Sequence, residues 1–356
     1  MEAVVSDTCV QQWMEQVASA QAKGQRIVVR GSGTKAFLAE QEDGEVLDVR
    51  AHQGIVDYQP SELVVTVRTG TPVAQINALL SEQGQYFPCE PPEFSGQATV
   101  GGTIASAWAG PRRPWCGGIR DFVLGCRLVS GEGKHMRFGG QVMKNVAGYD
   151  VSRLMVGSFG SLGILTEVSF KVLPQPRKRV THALEITRQQ AVDDFLRWRK
   201  SGLPLSGLFH DGERLFVRLE GGEAAVTAAA SNIGGEVADE NVWAALREQT
   251  LPFFQQTGSL WRLSVPIGSV LEDLAQPALM DWAGAQWWVK LPTGADATPL
   301  RDLAKKLGGH ATCYDQSPTS NRWQIPDASV LKLNRQVKAQ LDPHGVFDRG
   351  WLFRES

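Results

Sequence analysis

The chain has 356 residues, 42% of them hydrophobic and 21% charged, and a formal net charge of −2 at pH 7. That length exceeds one ordinary core, so two domains are expected, while the composition excludes a disordered chain and the charge gives no reason to bind nucleic acid. No apolar run approaches the roughly 18 to 20 residues that cross a bilayer, and Met1-Glu2-Ala3-Val4-Val5-Ser6-Asp7 lacks a basic stretch leading into an apolar one, so a cytoplasmic chain that meets a membrane only through partners is expected.

Val10, Trp13, Met14, Val17 and Ala18 recur at helical spacing and predict a helix over 8–23 that Gly24 ends. Ile27-Val28-Val29 then reads as a buried strand leading into Arg30-Gly31-Ser32-Gly33-Thr34-Lys35. Gly31-x-Gly33-x-x-Ala36, with Asp48 further on, also fits a dinucleotide-binding fingerprint. The residues 37–45 between Ala36 and the next strand are too few and too polar for the crossover helix that such a unit requires. The loop is therefore expected to join two strands directly, with an ordinary glycine turn as the plainer reading.

Ile55-Val56-Asp57-Tyr58 and Leu63 to Arg68 read as strands across the turn Gln59-Pro60-Ser61. Thr71 is placed as an N-cap and Pro72 as the first residue of a helix whose buried face is Val73, Ile76, Leu79 and Leu80, closed by Gly84. Pro88, Pro91 and Pro92 lead to Gln97-Ala98-Thr99-Val100-Gly101-Gly102-Thr103-Ile104-Ala105-Ser106-Ala107. Its small residues leave room for a flat ring or a phosphate, and a short helix starting there would aim its N–H groups at the ligand. Close helix–sheet packing is the alternative.

Gly110-Pro111-Arg112-Arg113-Pro114-Trp115 sets two guanidinium groups, Arg112 and Arg113, between prolines. They suit a substrate carboxylate, the cofactor or an acidic partner, and equally a solvated basic loop. A hairpin is expected over 123–138, then Lys144 to Asp150, a short helix through Ser152 and Leu154, and a strand over 164–170 preceded by Gly157, Gly160 and Gly163. Lys144 as a surface ammonium and Asp150 as a helix cap are the bland readings.

These glycine clusters, in this order, resemble the FAD-binding domain of the vanillyl-alcohol oxidase and p-cresol methylhydroxylase superfamily. The strings at 110–115, 120–125 and 144–150 are similar to the FAD-binding subunit of bacterial glycolate oxidases (glycolate dehydrogenases), over roughly the first half of the chain. The resemblance implies an FAD-binding domain over 1–175, a cap or substrate domain over 176–328, and a segment over 329–356 returning to the first. It implies non-covalent FAD held by Arg30, Gly31, Ser32, Gly33, Thr34 and Lys35, by Gln97, Ala98, Thr99, Val100, Gly101, Gly102, Thr103, Ala105 and Ser106, and by Gly157, Gly163, Ile164 and Leu165. A small 2-hydroxy acid as substrate, a larger FAD-containing subunit and an iron–sulfur subunit follow from the same likeness.

Pro174 and Pro176 before Arg177-Lys178-Arg179 mark a boundary. Beyond it, strands at 183–186 and 208–219 alternate with helices at 189–200 and 223–233. A second cycle is expected as strand 260–265, helix 270–274, strand 286–291, helix 300–307 and strand 311–314. This order predicts an α+β domain of the ferredoxin-like kind, an antiparallel sheet with helices on one face, which the resemblance makes the cap. A last helix over 329–341 has Val330, Leu333, Val337 and Leu341 as its apolar face. The closing Phe347-Asp348-Arg349-Gly350-Trp351 departs from the superfamily's usual Phe-Asn-Pro-Gly-Arg type ending, so no role is assigned to it.

Catalytic groups are not legible. The five cysteines show no Cys-x-x-Cys spacing and the six histidines no metal-ligand spacing, so no metal site is expected and reduced thiols are. His210 reads as a hairpin residue, and His52 and His135 lie outside the cofactor loops. Of the superfamily's His-rich metal motif only His210-Asp211-Gly212 bears a likeness. These absences point to a subunit that holds FAD while a larger partner dehydrogenates glycolate. A stand-alone FAD-dependent hydroxy-acid or alcohol dehydrogenase and a non-catalytic FAD-binding protein are the alternatives.

Overall fold

The computed structural model describes residues 2–39, 43–140, 150–271, 274–315, 322–324 and 326–347. The string 144–149 and the tail 348–356 therefore lie outside the described residues. Two compact units form, one from 1–108, 118–174 and 325–356, the other from 109–117 and 175–324.

In the first unit, α1 (Glu2–Lys23) turns Val10, Trp13, Val17 and Ala20 inward, one residue of each turn, so the helix buries a single stripe. That stripe packs against Ile27, Leu47, Val129, Ile164 and Phe347. β1 (Ile27–Arg30) and β2 (Glu45–Asp48) pair in parallel, Ile27 opposite Glu45. Their connection contains one 3-10 turn, Ala36–Leu38, among the described residues, and Asp48 is bound by its neighbour Arg50. Both features exclude the nicotinamide-type reading of this loop.

β3 (Ile55–Gln59) and β4 (Val64–Arg68) turn about Pro60–Glu62. α2 (Val73–Glu82) buries Val73, Ile76 and Leu80. Its cap position is Pro72, not Thr71; the Thr71 hydroxyl instead donates to Arg68 O at 2.7 Å, so the expected cap is corrected. β5 (Gln85–Tyr86) and α3 (Val100–Ser106) follow, and then α4 (Arg113–Cys116) within the segment given to the second unit. α5 (Ile119–Phe122), β6 (Val123–Val129), β7 (His135–Gly139), α6 (Val151–Leu154), β8 (Ile164–Lys171) and β9 (Leu173–Pro174) complete this half. Asp150 caps α6, accepting from Arg153 N at 3.0 Å. The antiparallel sheet runs β3-β4-β8-β6-β7, and β5 pairs with β9.

The second unit has two similar halves. The first comprises β10 (Lys178–Leu184), α7 (Arg188–Lys200), β11 (Leu205–His210), β12 (Leu215–Gly221), α8 (Glu223–Ile233) and β13 (Glu236–Val237). α9 (Asn241–Arg247) and α10 (Pro252–Gln255) precede the second half, β14 (Ser259–Ser264), β15 (Ala278–Asp281), β16 (Gln286–Leu291), α11 (Thr298–Lys306) and β17 (His310–Cys313). The sheet order β13-β10-β12-β11-β15-β16-β14-β17 is the same four-strand order twice, mirrored about the β11–β15 junction, where His210 pairs with Met280.

The helix expected at 270–274 is absent from the described residues there. Gly268 takes φ 83° and Ser269 closes a turn on Pro266, so the chain bends where a helix would start. Leu271 is buried in the core in its place. The strand β15 was hidden in sequence by its brevity. α7, α8 and α11 bury Phe195, Trp198, Val226, Ile233 and Leu300 against Val217, Leu263, Trp287 and Val289 on one face. α9 and α10 set Trp243 and Phe254 against Phe209 and Trp288, which alternate to the other face. The expectation of helices on one face is thus corrected, while the antiparallel α+β plan stands.

α12 (Ala328–Leu341) belongs to the first unit, its Lys338 Nζ donating to Ser161 O at 2.7 Å. Asp342 accepts from the Val346 and Phe347 amides at 2.9 and 2.7 Å, and Val346 and Phe347 join the core under α1. The buried residue of α12 is Leu331, while Val330 and Leu333 are 46% and 60% exposed. The apolar face expected for this helix is therefore rotated.

Candidate functional site

The first unit holds a cleft of about 850 Å³, its open mouth included, bounded by the loop after β1, by α3 and by the 158–165 segment. Thirteen of the residues expected to bind the cofactor line it: Arg30, Gly31, Ser32, Gly33, Thr34, Lys35, Thr99, Gly101, Gly102, Ala105, Ser106, Gly163 and Leu165. The remaining six stand behind the wall. Ala98 O accepts from Val73 N, Val100 N donates to Thr71 O, Gln97 N donates to Phe94 O, and Gly157 N donates to Ile104 O. Ile164 is in the core under α1, and Thr103 is fully buried. Val29, Ala36, Val49, Thr69, Ser158, Phe159 and Gly160 also line the cleft. Sequence reasoning passed over them; Ser158 and Phe159 sit inside the glycine-rich string, which was the available signal.

The donors come from one turn. No hydrogen-bond partner is found among the described residues for the N–H groups of Gly31, Ser32, Gly33 and Thr34. Four consecutive unpaired amides form a concave, positively polarised surface suited to an anion. α3 contributes differently from expectation. Its first amides are already used, Val100 by Thr71 O, Gly101 by Thr69 O at 2.8 Å, and Gly102 by the Thr99 hydroxyl at 3.2 Å. The expectation that this helix directs its N–H groups at the ligand is corrected: it supplies a wall of small residues, Gly101, Gly102, Ala105 and Ser106.

That wall is tight. A Cβ on Gly31 would come 2.5 Å from Thr99 Oγ1, and one on Gly101 would come 2.8 Å from Thr69 Cβ and 3.0 Å from Thr69 O. Glycine is required at 101 because the opposing atom includes backbone that cannot rotate away.

Electrostatics agree with the geometry. Arg30 and Lys35 are the charged residues of the lining, and no carboxylate is among them. Lys35 Nζ stands 5.2 Å from the Phe94 ring centroid. The buried hydroxyls of Ser32 and Ser158 have no hydrogen-bond partner among the described residues. An orphaned buried hydroxyl costs about 1–3 kcal/mol, a penalty a phosphate or ribose oxygen would remove. Two cations, four amides and two hydroxyls around a narrow slot fit the diphosphate of a dinucleotide.

Arg112 and Arg113 lie in the second unit. Arg112 is buried, and its two terminal nitrogens donate to the two oxygens of Glu220, one at 2.6 Å. Arg179 and Arg218 also approach this carboxylate. Burial pushes the Glu220 carboxyl up, but the Arg112 hydrogen bond and the charges of Arg218, Arg112 and Arg179 outweigh it and hold it below its usual value. Arg113 is exposed, its guanidinium carbon 4.7 Å from the Trp282 ring centroid.

His210 is locked in its hairpin. Nε2 donates to Ile186 O at 2.7 Å and Nδ1 accepts from Gly212 N at 3.0 Å, which fixes one neutral tautomer, and burial pushes its pKa down. Cys126 is pushed up to about 12 by burial, the opposite of an activated thiol. The described residues contain no group of three or more His, Cys, Asp or Glu arranged to hold a metal ion, and no helix long and apolar enough to cross a membrane.

The FAD binding domain family matches residues 1–139. Glycolate oxidase subunit GlcE of Escherichia coli K12 is 48% identical over 342 residues, covering 96% of this chain and 97% of that protein. Glycolate oxidase subunit GlcD of Bacillus subtilis is 36% identical over 157 residues, which span 44% of this chain but 33% of that one. Among solved structures, alkyldihydroxyacetonephosphate synthase superposes with a TM-score of 0.68 at 16% identity, over 94% of this chain and 74% of the other. That last likeness establishes the shared fold.

Proposed function

Because the chain belongs to the glycolate oxidase subunit GlcE family, we propose that it is the FAD-binding subunit of a glycolate-oxidising complex, acting with a larger flavin-containing subunit and an iron–sulfur subunit. The observation that carries this reading is the cationic cleft with four amides unpaired among the described residues, in a chain alike along nearly its whole length to one such subunit. The similarity to a GlcD subunit over less than half of this chain supports a partner related to part of it.

Converting glycolate to glyoxylate removes two electrons and two protons, and bound FAD supplies the acceptor for the hydride that leaves the substrate carbon. The chain's own contribution is to hold that group. The Gly31–Thr34 amides with Arg30 and Lys35 would take the diphosphate, and the Ser32 and Ser158 hydroxyls would accept or donate further hydrogen bonds. α3 and the 158–165 segment wall off water. Charge-assisted hydrogen bonds of about 1.5–3 kcal/mol each bring a few such contacts to the roughly 8–12 kcal/mol of micromolar to nanomolar binding. In this reading the group that takes the substrate's hydroxyl proton belongs to the partner. A place on the cytoplasmic side, reaching the membrane through the complex, belongs to the same reading.

Purification of the chain alone, followed by a visible spectrum, tests the cofactor; a colourless protein that stays colourless when FAD is added overturns the reading. Anaerobic glycolate should bleach the flavin when the partner subunits are co-expressed and leave it oxidised when they are not. Bleaching of the lone chain overturns the division of labour.

A further inference from the structure

The five-stranded sheet of the first unit has a second concave surface that the cofactor cleft does not use. Val65, Val67, Val168 and Phe170 are fully buried on one face of this sheet, so strand alternation sends Thr66, Glu167 and Ser169 to the other. On that outer face lies a hollow of about 520 Å³, its open mouth included, whose lining includes Thr66, Gly125, Arg127, Arg137, Glu167 and Ser169. None of these six lines the cofactor cleft. The sheet curls here for a reason visible in its register, which shifts between Ile55 and Asp57, between Val123 and Gly125, and between Arg127 and Leu128. Such bulges increase local twist, and Gly125 leaves the middle of the curl without a side chain.

One rung of the sheet carries an unbalanced charge. Arg68 on β4, Glu167 on β8, Arg127 on β6 and Arg137 on β7 stand opposite one another in sequence across four strands. Three guanidinium groups therefore face one carboxylate. Arg127 Nε is 3.3 Å from Glu167 Oε2, and Arg68 Nη1 donates to Gln53 O at 3.1 Å. Arg137 is exposed and makes no ion pair among the described residues. Its direct cross-strand neighbour is Arg127, and like charges so placed, with Cβ atoms about 4.5–5.5 Å apart, destabilise a sheet. An anion between the two forks would turn that repulsion into attraction. The next rung adds the buried hydroxyls of Thr66 and Ser169, joined at 2.8 Å.

The geometry points to an anion site between Arg127 and Arg137 that takes the phosphate group of a small ligand. Two planar forks approaching from neighbouring strands need an acceptor with oxygens on more than one side. A tetrahedral oxyanion has them, whereas the two oxygens of a carboxylate are filled by a single fork. Glu167 competes for Arg127 and limits the affinity.

Calorimetric titration of the full-length chain with inorganic phosphate tests the site, with FAD present to fill the cleft and chloride holding the ionic strength constant. Acetate and glycerol phosphate are the parallel probes. Saturable phosphate binding is expected, about fivefold or more tighter than acetate, and Arg137→Gln should weaken it by about fivefold or more while leaving flavin content unchanged. Glu167→Gln should tighten phosphate by about twofold to fivefold, because it removes the competing carboxylate. Glycerol phosphate binding above inorganic phosphate would make the ligand a phosphate monoester, and the reverse order the free anion. Absence of saturable phosphate binding overturns the site, as does binding unchanged in Arg137→Gln, which would put the anion elsewhere on the chain. Acetate bound as tightly overturns its phosphate character. The site stands apart from the flavin reading: a chain that takes no flavin is titrated as it is, and the Arg137→Gln comparison decides there too.

Discussion

The two units make their principal features in opposite ways. In the first, the cleft is built from what is missing: side chains at Gly31, Gly101 and Gly102, and, among the described residues, partners for the Gly31–Thr34 amides and for two hydroxyls. In the second, large side chains fill the space, with Glu220 drawing Arg112, Arg179 and Arg218 together and Trp282 carrying Arg113 and Arg262. A site prepared for a ligand leaves its polar groups unsatisfied at a cost to the empty protein, whereas a structural cluster satisfies them internally. The two regions should therefore respond oppositely to loss of a polar group.

The largest expected effect is at Glu220. Glu220→Gln leaves buried arginines without their counter-charge and should cost about 3–5 kcal/mol, read by urea unfolding; a loss under about 1 kcal/mol would mean the cluster contributes little. The same carboxylate gives a pH dependence. Its folded pKa is depressed, so its contribution is fully present above the ordinary glutamate value of about 4.3 and is lost as pH falls through the lower folded value. The natural chain should lose stability in that acid range more steeply than Glu220→Gln does.

Gly101→Ala comes next. The added methyl meets Thr69 Cβ and O at 2.8 and 3.0 Å, and overpacking of this kind costs about 1–3 kcal/mol, so flavin affinity should fall between about fivefold and a hundredfold. Flavin retained at natural stoichiometry through dialysis would break the account of the wall. Thr99→Ala removes the side-chain cap on Gly102 N and should cost about 1 kcal/mol of stability, measured by thermal unfolding of the flavin-free protein. The smallest effect separates the two regions most cleanly. Ser158→Ala should leave the flavin-free chain as stable or slightly more stable, while flavin binding weakens by about 0.5–1.5 kcal/mol; destabilisation of the flavin-free chain would place Ser158 with the structural group.

Much of the first unit was legible because its signals are local. The strand before Arg30, the Thr99–Gly102 turn and the glycine-rich string before Ile164 each state their conformation within a few residues. What escaped depends on pairings across the fold. Nothing near Arg112 announces Glu220, 108 residues away, and the buried face of α12 follows from which of its stripes the sheet core accepts. The amide donors were attributed to α3 because its small residues suggest openness; its N–H groups are consumed by Thr69, Thr71 and Thr99, the first two of which precede it by a helix and a short strand. In the second repeat the described residues make a Pro266–Ser269 turn where the first has a capped helix beginning at Arg188.

The interleaved segments constrain how the chain is made. Val346 and Phe347 close the core of the first unit, yet they leave the ribosome after the whole of the second. At about 5–20 residues per second, translation of the intervening stretch of roughly 150 residues takes on the order of ten seconds. Throughout that interval the nascent flavin-binding half lacks Val346 and Phe347 beneath its sheet. Folding from the N-terminus onward therefore cannot complete this core until the last of its residues has been made.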